Sequence, residues 1–285
     1  MMENKYINTP MNYTGSKFKL LEQILPEFDY TKPYFVDLFT GGGSVYTNVL
    51  DKFEKVVSND IISDLVGIHK GLLEGDDIIN EVKELCPEKG DKEGFLKLRE
   101  SYNTSKTPVK LWALMLCCQN NLMRFNQKFI FNQTYGDRRF NDSTQKKVTE
   151  YTNHIRKYSN VIQYTSKNFK DIVIPNNKFM VYIDPPYGAI KNEDGSIGKK
   201  AISEAGYNCY FSYKDDLELY NYVKNVDKTG SSFVLSGVLS HNGLTCWILD
   251  KLIQDGFKYK ILDYDYNKVS RVGKKETIEI IIKNF

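Results

Sequence analysis

Tyr34-Phe35-Val36-Asp37-Leu38-Phe39-Thr40-Gly41-Gly42-Gly43-Ser44 is the stretch on which the fold turns. Six mostly apolar residues form a buried-strand pattern and run straight into a glycine triplet. Glycine allows a tight turn and lets a ligand approach the backbone. A helical stretch is expected from Val45, and its N-terminal amides would face an anion. A dinucleotide site wants a third glycine where Tyr46 stands, so pyrophosphate binding is disfavoured and a nucleoside site is not. Lys55 to Asp60 forms a second short strand ending in an acid. Asp60 lies 17 residues past Gly43, placed to hold two ribose hydroxyls.

Outward from this core, 16–26 is a short amphipathic helix with Ser16 as N-cap. Helical patterns dominate 61–73, 76–85, 92–102, 108–118 and 143–157. An aromatic, Asn-rich segment with a turn at Gly136 interrupts them at 124–141. Strands return at 160–164 and 178–184, the latter ending in Asp184-Pro185-Pro186-Tyr187. A glycine-containing stretch from Gly188 to Gly206 follows. Then come a helix at 214–225, a strand at 232–236, a helix at 243–255 and strands near 258–265 and 276–283. Strands alternating with helices around a helical middle predict an α/β fold with an inserted domain. The expected boundaries are 1–60 with 160–285 for the sheet, and 61–159 for the insert.

Composition excludes several classes. With 41% hydrophobic, 13% aromatic and 26% charged residues among 285, the chain is not disordered. No apolar run approaches the roughly 20 residues of a membrane helix, and the first residues carry no apolar signal core. The five cysteines include no CxxC pair and suit free thiols in a reducing cytoplasm. Three scattered histidines argue against a metal site. The net charge of +3 is uninformative, but Asn120 to Lys147 carries six basic and two acidic residues. Three of the six arginines, Arg124, Arg138 and Arg139, lie there. Arginine reads guanine edges and phosphates. Taken alone, this cluster fits a solvated loop and a nucleic-acid surface equally.

Asp184-Pro185-Pro186-Tyr187 carries its own chemistry. Two prolines fix the backbone and remove two amide donors, leaving carbonyls as acceptors. A carboxylate and a flat ring beside them suit a planar molecule with an exocyclic amine. The position at the C-terminal end of a strand favours ligand binding over a mere rigid turn.

The glycine loop paired with Asp184-Pro185-Pro186-Tyr187 resembles the signature of S-adenosylmethionine-dependent amino-methyltransferases. Tyr13-Thr14-Gly15-Ser16-Lys17 upstream is similar to the N-terminal motif of the DNA adenine methyltransferase (Dam) family. The motif order is that of its alpha group, the D12 class. Phe95 to Asn103, Asn121 to Asn126, and Phe131 to Gly136 with Arg138 resemble the target recognition domain of phage-type members. Gly206 to Asn208 and Leu235 to Ser240 extend the likeness to nearly the whole chain.

This resemblance implies a Rossmann-like methyltransferase sheet with an inserted, mainly helical target recognition domain containing a β-hairpin. It implies that Tyr13 and Lys17 line the methionine end of S-adenosylmethionine, that Phe39, Gly41 and Gly43 approach its nucleoside, and that Asp37 is a cofactor-binding residue. Asp60 takes the ribose, and Asn168 and Phe169 contact the adenine. Asp184 borders cofactor and target base, and acts with Pro185 and Tyr187 in catalysis. Arg124 and Arg138 match positions that read guanines, and Leu122 one that wedges into the base stack. Asn120, Asn121, Asn126 and Thr134 complete the implied surface for double-stranded DNA. The implied reaction is transfer of a methyl group to N6 of a flipped-out adenine, with GATC as the first expected target and no metal. Thr134 stands where the family often has proline, and Asn120 at a variable position; both bear on that target.

Further expectations are a monomer or weak dimer on DNA, and a restriction endonuclease as partner. Two readings of 188–205 stand: a mobile lid over the base pocket, and a disordered surface loop. Rival readings are methylation of RNA or protein glutamine, and a DNA-binding relative without catalysis. The long basic insert opposes the first, and intact Lys17, Asp60, Asp184 and Tyr187 the second.

Overall fold

A computed structural model describes residues 5–11, 13–126, 128–186, 188–191, 196–201, 211–263 and 277–285. The elements in chain order are α1 (Leu21–Ile24), β1 (Tyr34–Asp37), β2 (Lys55–Asn59), α2 (Ser63–Glu74), α3 (Asp77–Leu85), α4 (Lys92–Thr104), α5 (Pro108–Cys117) and α6 (Asp142–Ile155). They continue with β3 (Ile162–Thr165), β4 (Phe179–Ile183), β5 (Ala189–Lys191), β6 (Ile197–Ala201), α7 (Tyr213–Lys228), β7 (Ser232–His241), β8 (Leu244–Cys246), α8 (Trp247–Gln254), β9 (Lys258–Leu262) and β10 (Thr277–Lys283). The fold is mixed α/β. Two compact units divide it. One holds the chain through Lys19 and from Thr40 to Lys167. The other holds Leu20–Phe39 and the described residues from Asn168 onward.

In the first unit β2 and β3 pair in parallel, with Val56 beside Ile162 and Asn59 beside Thr165. The helical layer is built on α5. Leu111 to Cys117 of α5 are all buried, so this helix is apolar all round and sits at the centre of its neighbours. It starts cleanly because Thr107 accepts from the Lys110 N–H and Pro108 occupies a first-turn position where no amide is needed. α2, α3 and α4 pack on it. Asp91 and Asn141 cap α4 and α6 in the same way.

In the second unit β1, β4 and β7 run parallel, with Asp37 beside Tyr182 and Tyr182 beside Val234. Phe35, Val36, Met180 to Ile183 and Phe233 to Leu235 are buried, as strands covered on both faces require. β10 runs antiparallel to β7 and carries β9 on its other side. The parallel register makes β1 and β4 leave the sheet at the same edge, bringing out Phe39 and Asp184 there. Helix α7 opens on a capping box in which the Ser212 and Asp215 side chains each accept from the other's backbone N–H.

Four differences from the sequence reading have physical causes. The helix expected from Val45 is only a 3-10 turn at Tyr46–Asn48. There the Thr47 hydroxyl donates back to the Gly43 carbonyl at 2.7 Å and the Asn48 amide to Ser44 at 2.8 Å, side-chain bonds of the kind that compete with helix extension. The helix expected from residue 243 starts at Trp247. Asn242 and Gly243 both have left-handed φ (50° and 79°) and form the hairpin turn between β7 and β8.

Third, 188–205 contains paired strands in its described part. Ile190 bridges to Cys246 of β8, β5 pairs with β6, and Lys191 forms a 2.7 Å ion pair with Asp250. The described part is therefore not an unstructured loop; 192–195 and 202–205 lie outside the described residues. Fourth, the described residues of the insert's hairpin form no regular strand. Two isolated antiparallel bridges, Cys118 to Tyr135 and Phe125 to Phe131, hold it instead.

Candidate active site and nucleic-acid interface

The glycine loop is held from its own unit on three sides. Gly41 has φ of +50° and Gly43 of +82°, the left-handed region that favours glycine. The Gly41 N–H donates to Asp60 Oδ2 at 3.0 Å. A Cβ on Gly41 would stand 2.8 Å from the Tyr13 ring, so Tyr13 lies against the triplet. Asp60 Oδ1 accepts from the Ile62 N–H at 2.9 Å, at the start of α2. Burial raises the Asp60 carboxyl, against the pull of backbone N–H groups from Ile62, Gly41 and Ile61. Each carboxylate oxygen has two lone pairs, so these bonds leave acceptor capacity on Asp60. The Lys17 ammonium reaches the Gly15 carbonyl at 3.4 Å, within the Tyr13 to Lys17 turn.

The other expected cofactor residues belong to the second unit. Asp37 is buried. Phe39 and Phe169 lie 5.5 Å apart between centroids, and Phe211, absent from the sequence reading, lies 6.2 Å from Phe39. Asn168 caps the short turn at Phe169–Asp171 by accepting from Lys170 N.

Asp184 leaves β4 half-buried. The Ser236 hydroxyl donates to Asp184 Oδ1 at 3.0 Å, and Ser236 lies 2.8 Å from the Tyr182 hydroxyl. One proton per hydroxyl gives one consistent chain: Tyr182 O–H to Ser236, and Ser236 O–H to the carboxylate. Burial, and the negative charge of Asp184, raise the Tyr182 phenol well above its ordinary value, so it keeps its proton. Pro185 and Pro186 follow without a backbone donor. Tyr187 lies outside the described residues.

Beyond it, Gly188 has no room for a side chain: a Cβ would stand 2.9 Å from Asp216 Oδ1 and 3.0 Å from Cys246 Sγ. The wholly buried Asp216 accepts from the Ala189 N–H at 2.5 Å, and its Oδ1 has no partner among the described residues. Burial pushes this carboxyl up to about 7, aided by the neighbouring Asp215 and opposed by the Ala189 N–H.

The expected DNA residues all fall on the excursion between α5 and α6. Asn120 and Asn121 both have left-handed φ (58° and 53°), which kinks the chain after α5. Asn120, Thr134 and Arg138 are exposed, and Leu122, Arg124 and Asn126 half-buried. Asn121 is buried. Its amide donates to the Met115 and Leu116 carbonyls, and its Oδ1 accepts from Arg138. It shapes the loop and orients Arg138, rather than facing outward as the resemblance implied. Arg124 gives Nε and one Nη to Asn132, and Asn126 holds the tip through the Lys128 and Ile130 N–H groups. The Thr134 hydroxyl donates to the exposed Gln119 at 2.8 Å. Asn103 of α4 grips the hairpin at Phe131 by accepting from its N–H and donating to its carbonyl.

A profile of the D12 class N6 adenine-specific DNA methyltransferases matches residues 13–269. The chain belongs to this family. It is 29% identical over 294 residues to the modification methylase StsI of Streptococcus sanguinis, covering 99% of this chain and 43% of that protein. It is 28% identical over 295 residues to the type II methyltransferase M.FokI of Planomicrobium okeanokoites, with the same coverage. It is 22% identical over 195 residues to the DNA adenine methylase of Haemophilus influenzae, covering 66% of each chain. This D12 chain therefore spans less than half the length of the first two relatives. No helix among its described residues is long and apolar enough to cross a membrane. No cluster of metal-ligating side chains occurs among them.

Ser236 lies within the Leu235 to Ser240 likeness but its contact with Asp184 is not written there, and Tyr182, Phe211 and Asp216 escape motif reading in this D12 chain, because sheet pairing and helix packing bring them to the motif residues. Two outcomes follow from their geometry. Ser236→Ala removes a hydrogen bond to a charged group, worth about 1.5–3 kcal/mol. It should lower kcat roughly 10-fold and leave cofactor KM nearly unchanged, which steady-state kinetics will show; an unchanged kcat denies Ser236 its orienting role. Asp216 keeps a proton in the folded chain up to about pH 7, whereas the unfolded chain releases it near pH 4. Its contribution to stability therefore falls as pH rises through that window. Asp216→Asn should gain on the natural chain in urea unfolding between pH 5 and pH 8; parallel curves would refute the raised value.

Proposed function

We propose that this chain is a site-specific DNA adenine methyltransferase that moves a methyl group from S-adenosylmethionine to N6 of adenine in a short duplex target. The observation that carries this is Asp184 at the exit of β4, followed by two prolines and oriented by Ser236, in a chain of the D12 class. In this reading 1–60 with 160–285 form a Rossmann-like catalytic domain, and 61–159 a target recognition domain whose irregular hairpin reads DNA.

The glycine loop fits such a cofactor. A side chain at Gly41 would collide with Tyr13 and one at Gly43 with His69 and Tyr46, so only glycine lets the loop pack this closely. Tyr13 and Lys17 serve the methionine end, Lys17 as the cation for its carboxylate. Gly41, Gly43, Asp37 and Phe39 line the nucleoside. Asp60 takes ribose hydroxyls with the acceptor capacity its backbone bonds leave, and Asn168 and Phe169 meet the adenine. S-adenosylmethionine, when bound, supplies an electrophilic sulfonium methyl.

The protein's task is to make a poor nucleophile competent. The lone pair of the adenine amine is delocalised into the ring. Hydrogen bonds from its two protons to Asp184 and the Pro185 carbonyl favour a pyramidal nitrogen and localise that pair. The carboxylate then stabilises positive charge as it grows on nitrogen, and in-line positioning supplies much of the remaining acceleration. Ser236 holds Asp184 for this role.

The base must leave the duplex at a cost of a few kcal/mol. Stacking on Tyr187, worth roughly 1–3 kcal/mol, offsets part of that. Arg124 and Arg138 read guanines, and Leu122 wedges into the stack. Asn120, Asn126 and Thr134 line the reading surface, with Asn121 acting through Arg138. GATC is the first target to test, with Thr134 and Asn120 as the positions that bear on it. The StsI and M.FokI likeness supports a modification role beside a restriction endonuclease. Action as a monomer or weak dimer in the cytoplasm completes the reading.

Long-read modification sequencing of DNA from a methylation-free bacterial host expressing the chain should find methyladenine in one short motif, absent with Asp184→Ala. A folded Asp184→Ala variant with near-normal turnover would sink the mechanism. Arg124→Ala should relax base choice at one position by about 1–3 kcal/mol in binding competition. Equal loss on all sequences would make it a phosphate contact instead.

A further inference from the structure

Behind the glycine loop lies a polar cluster to which the reaction assigns no role. It consists of Tyr46, His69 of α2, Tyr151 of α6 and Tyr164 of β3. Tyr46, His69 and Tyr151 are at most 1% exposed. His69 Nε2 lies 3.0 Å from the Gly41 carbonyl. His69 Nδ1 lies 2.8 Å from the Tyr151 hydroxyl and 3.1 Å from that of Tyr46. The Tyr46 hydroxyl lies 2.5 Å from that of Tyr151 and 3.0 Å from that of Tyr164.

The protons in this cluster can be placed. Burial lowers His69 to about 4, so at neutral pH its ring is uncharged, with one donor and one acceptor. A carbonyl only accepts, so Nε2–H donates to Gly41 and Nδ1 accepts. Burial raises Tyr46 and Tyr151 well above their ordinary values, so both stay protonated. One consistent chain then runs from Tyr164 O–H to Tyr46, Tyr46 O–H to Tyr151, Tyr151 O–H to His69 Nδ1, and His69 Nε2–H to the Gly41 carbonyl. In it every buried ring and hydroxyl atom has a partner, as burial demands.

The far end of this chain sets the loop. Gly41 is gripped at its N–H by Asp60 and at its carbonyl by His69. A Cβ on Gly43 would stand 2.6 Å from His69 Cε1 and 2.7 Å from Tyr46 Cε1, so the loop rests directly on these two rings. His69 and Tyr151 come from 61–159, the segment that also bears the basic hairpin.

We propose that His69 is a positioning residue for cofactor binding, through which helices of the inserted segment hold the glycine loop in its binding conformation. This rests on the function proposed above. It assigns to the insert a part in the cofactor site that its DNA-reading role does not include.

The test uses the full chain, with calorimetric titration by S-adenosylhomocysteine as the probe and binding to sonicated duplex DNA as the control. His69→Phe removes both ring partners and leaves the Gly41 carbonyl unpaired. It should weaken S-adenosylhomocysteine roughly 10-fold or more, the equivalent of about 1.4 kcal/mol, with DNA affinity within about twofold. His69→Gln, which can return a donor to Gly41, should recover part of the loss. Tyr151→Phe, which withdraws the proton given to Nδ1 and the acceptor of the Tyr46 hydroxyl but leaves the His69 bond to Gly41, should cost less than His69→Phe. Kinetics should show the loss in cofactor KM more than in kcat.

Should His69→Phe fail to fold, nitrogen-15 spectra of the natural chain still decide. The ring must be the Nε2–H tautomer, and its signals must shift with S-adenosylhomocysteine. An Nδ1–H tautomer, signals indifferent to the ligand, or a folded His69→Phe with natural cofactor affinity overturns the proposal. A natural chain that binds no S-adenosylhomocysteine overturns the functional reading itself, and this inference with it.

Discussion

Gly41 is the point on which the first unit depends. Its N–H is taken by Asp60, its carbonyl by His69, and its α-carbon lies against the Tyr13 ring. Each contact comes from a different part of the chain. A residue with both backbone polar groups committed and a left-handed φ has little freedom left. That rigidity suits the cofactor role proposed for the loop, because binding then does not have to bear the cost of ordering it.

The second unit solves a different problem, the orientation of one carboxylate. β1, β4 and β7 are parallel and covered on both faces, so their ends are fixed by the packing of the whole sheet. Asp184 stands at one such end, and Ser236 reaches it from the neighbouring strand. Behind the motif, Asp216 and Cys246 leave no space for a side chain at Gly188. The Asp184 motif is thus flanked before it by a hydroxyl pair and after it by a buried acid.

The insert is built on an opposite principle. Its core is the fully apolar helix α5, but the segment that leaves α5 has almost no regular ladder. Asn103, Asn121, Asn126 and Asn132 do the work of a sheet by bonding to backbone and to the arginines. Such side-chain bonds shape a loop without flattening it, and they hold Arg124 and Arg138 in place. It also explains the Asn-rich composition between 120 and 141.

The sequence by itself determined the mixed α/β character, the helical middle and the D12 motifs. These rest on local properties: apolar periodicity, glycine where φ is positive, proline where no donor is wanted. Even the Asn242-Gly243 turn was written there, since that dipeptide favours left-handed φ, although a helical pattern around it hid the signal. Tertiary structure alone decided the rest. Ser236 meets Asp184 across 52 positions of chain, and His69 meets Gly41 across 28. Asn121 turned inward because the end of α5 leaves carbonyls that need a donor. The short strands after Gly188 form because β8 offers them an edge. In each case the partner is remote in sequence, and no local pattern records which groups packing will bring face to face.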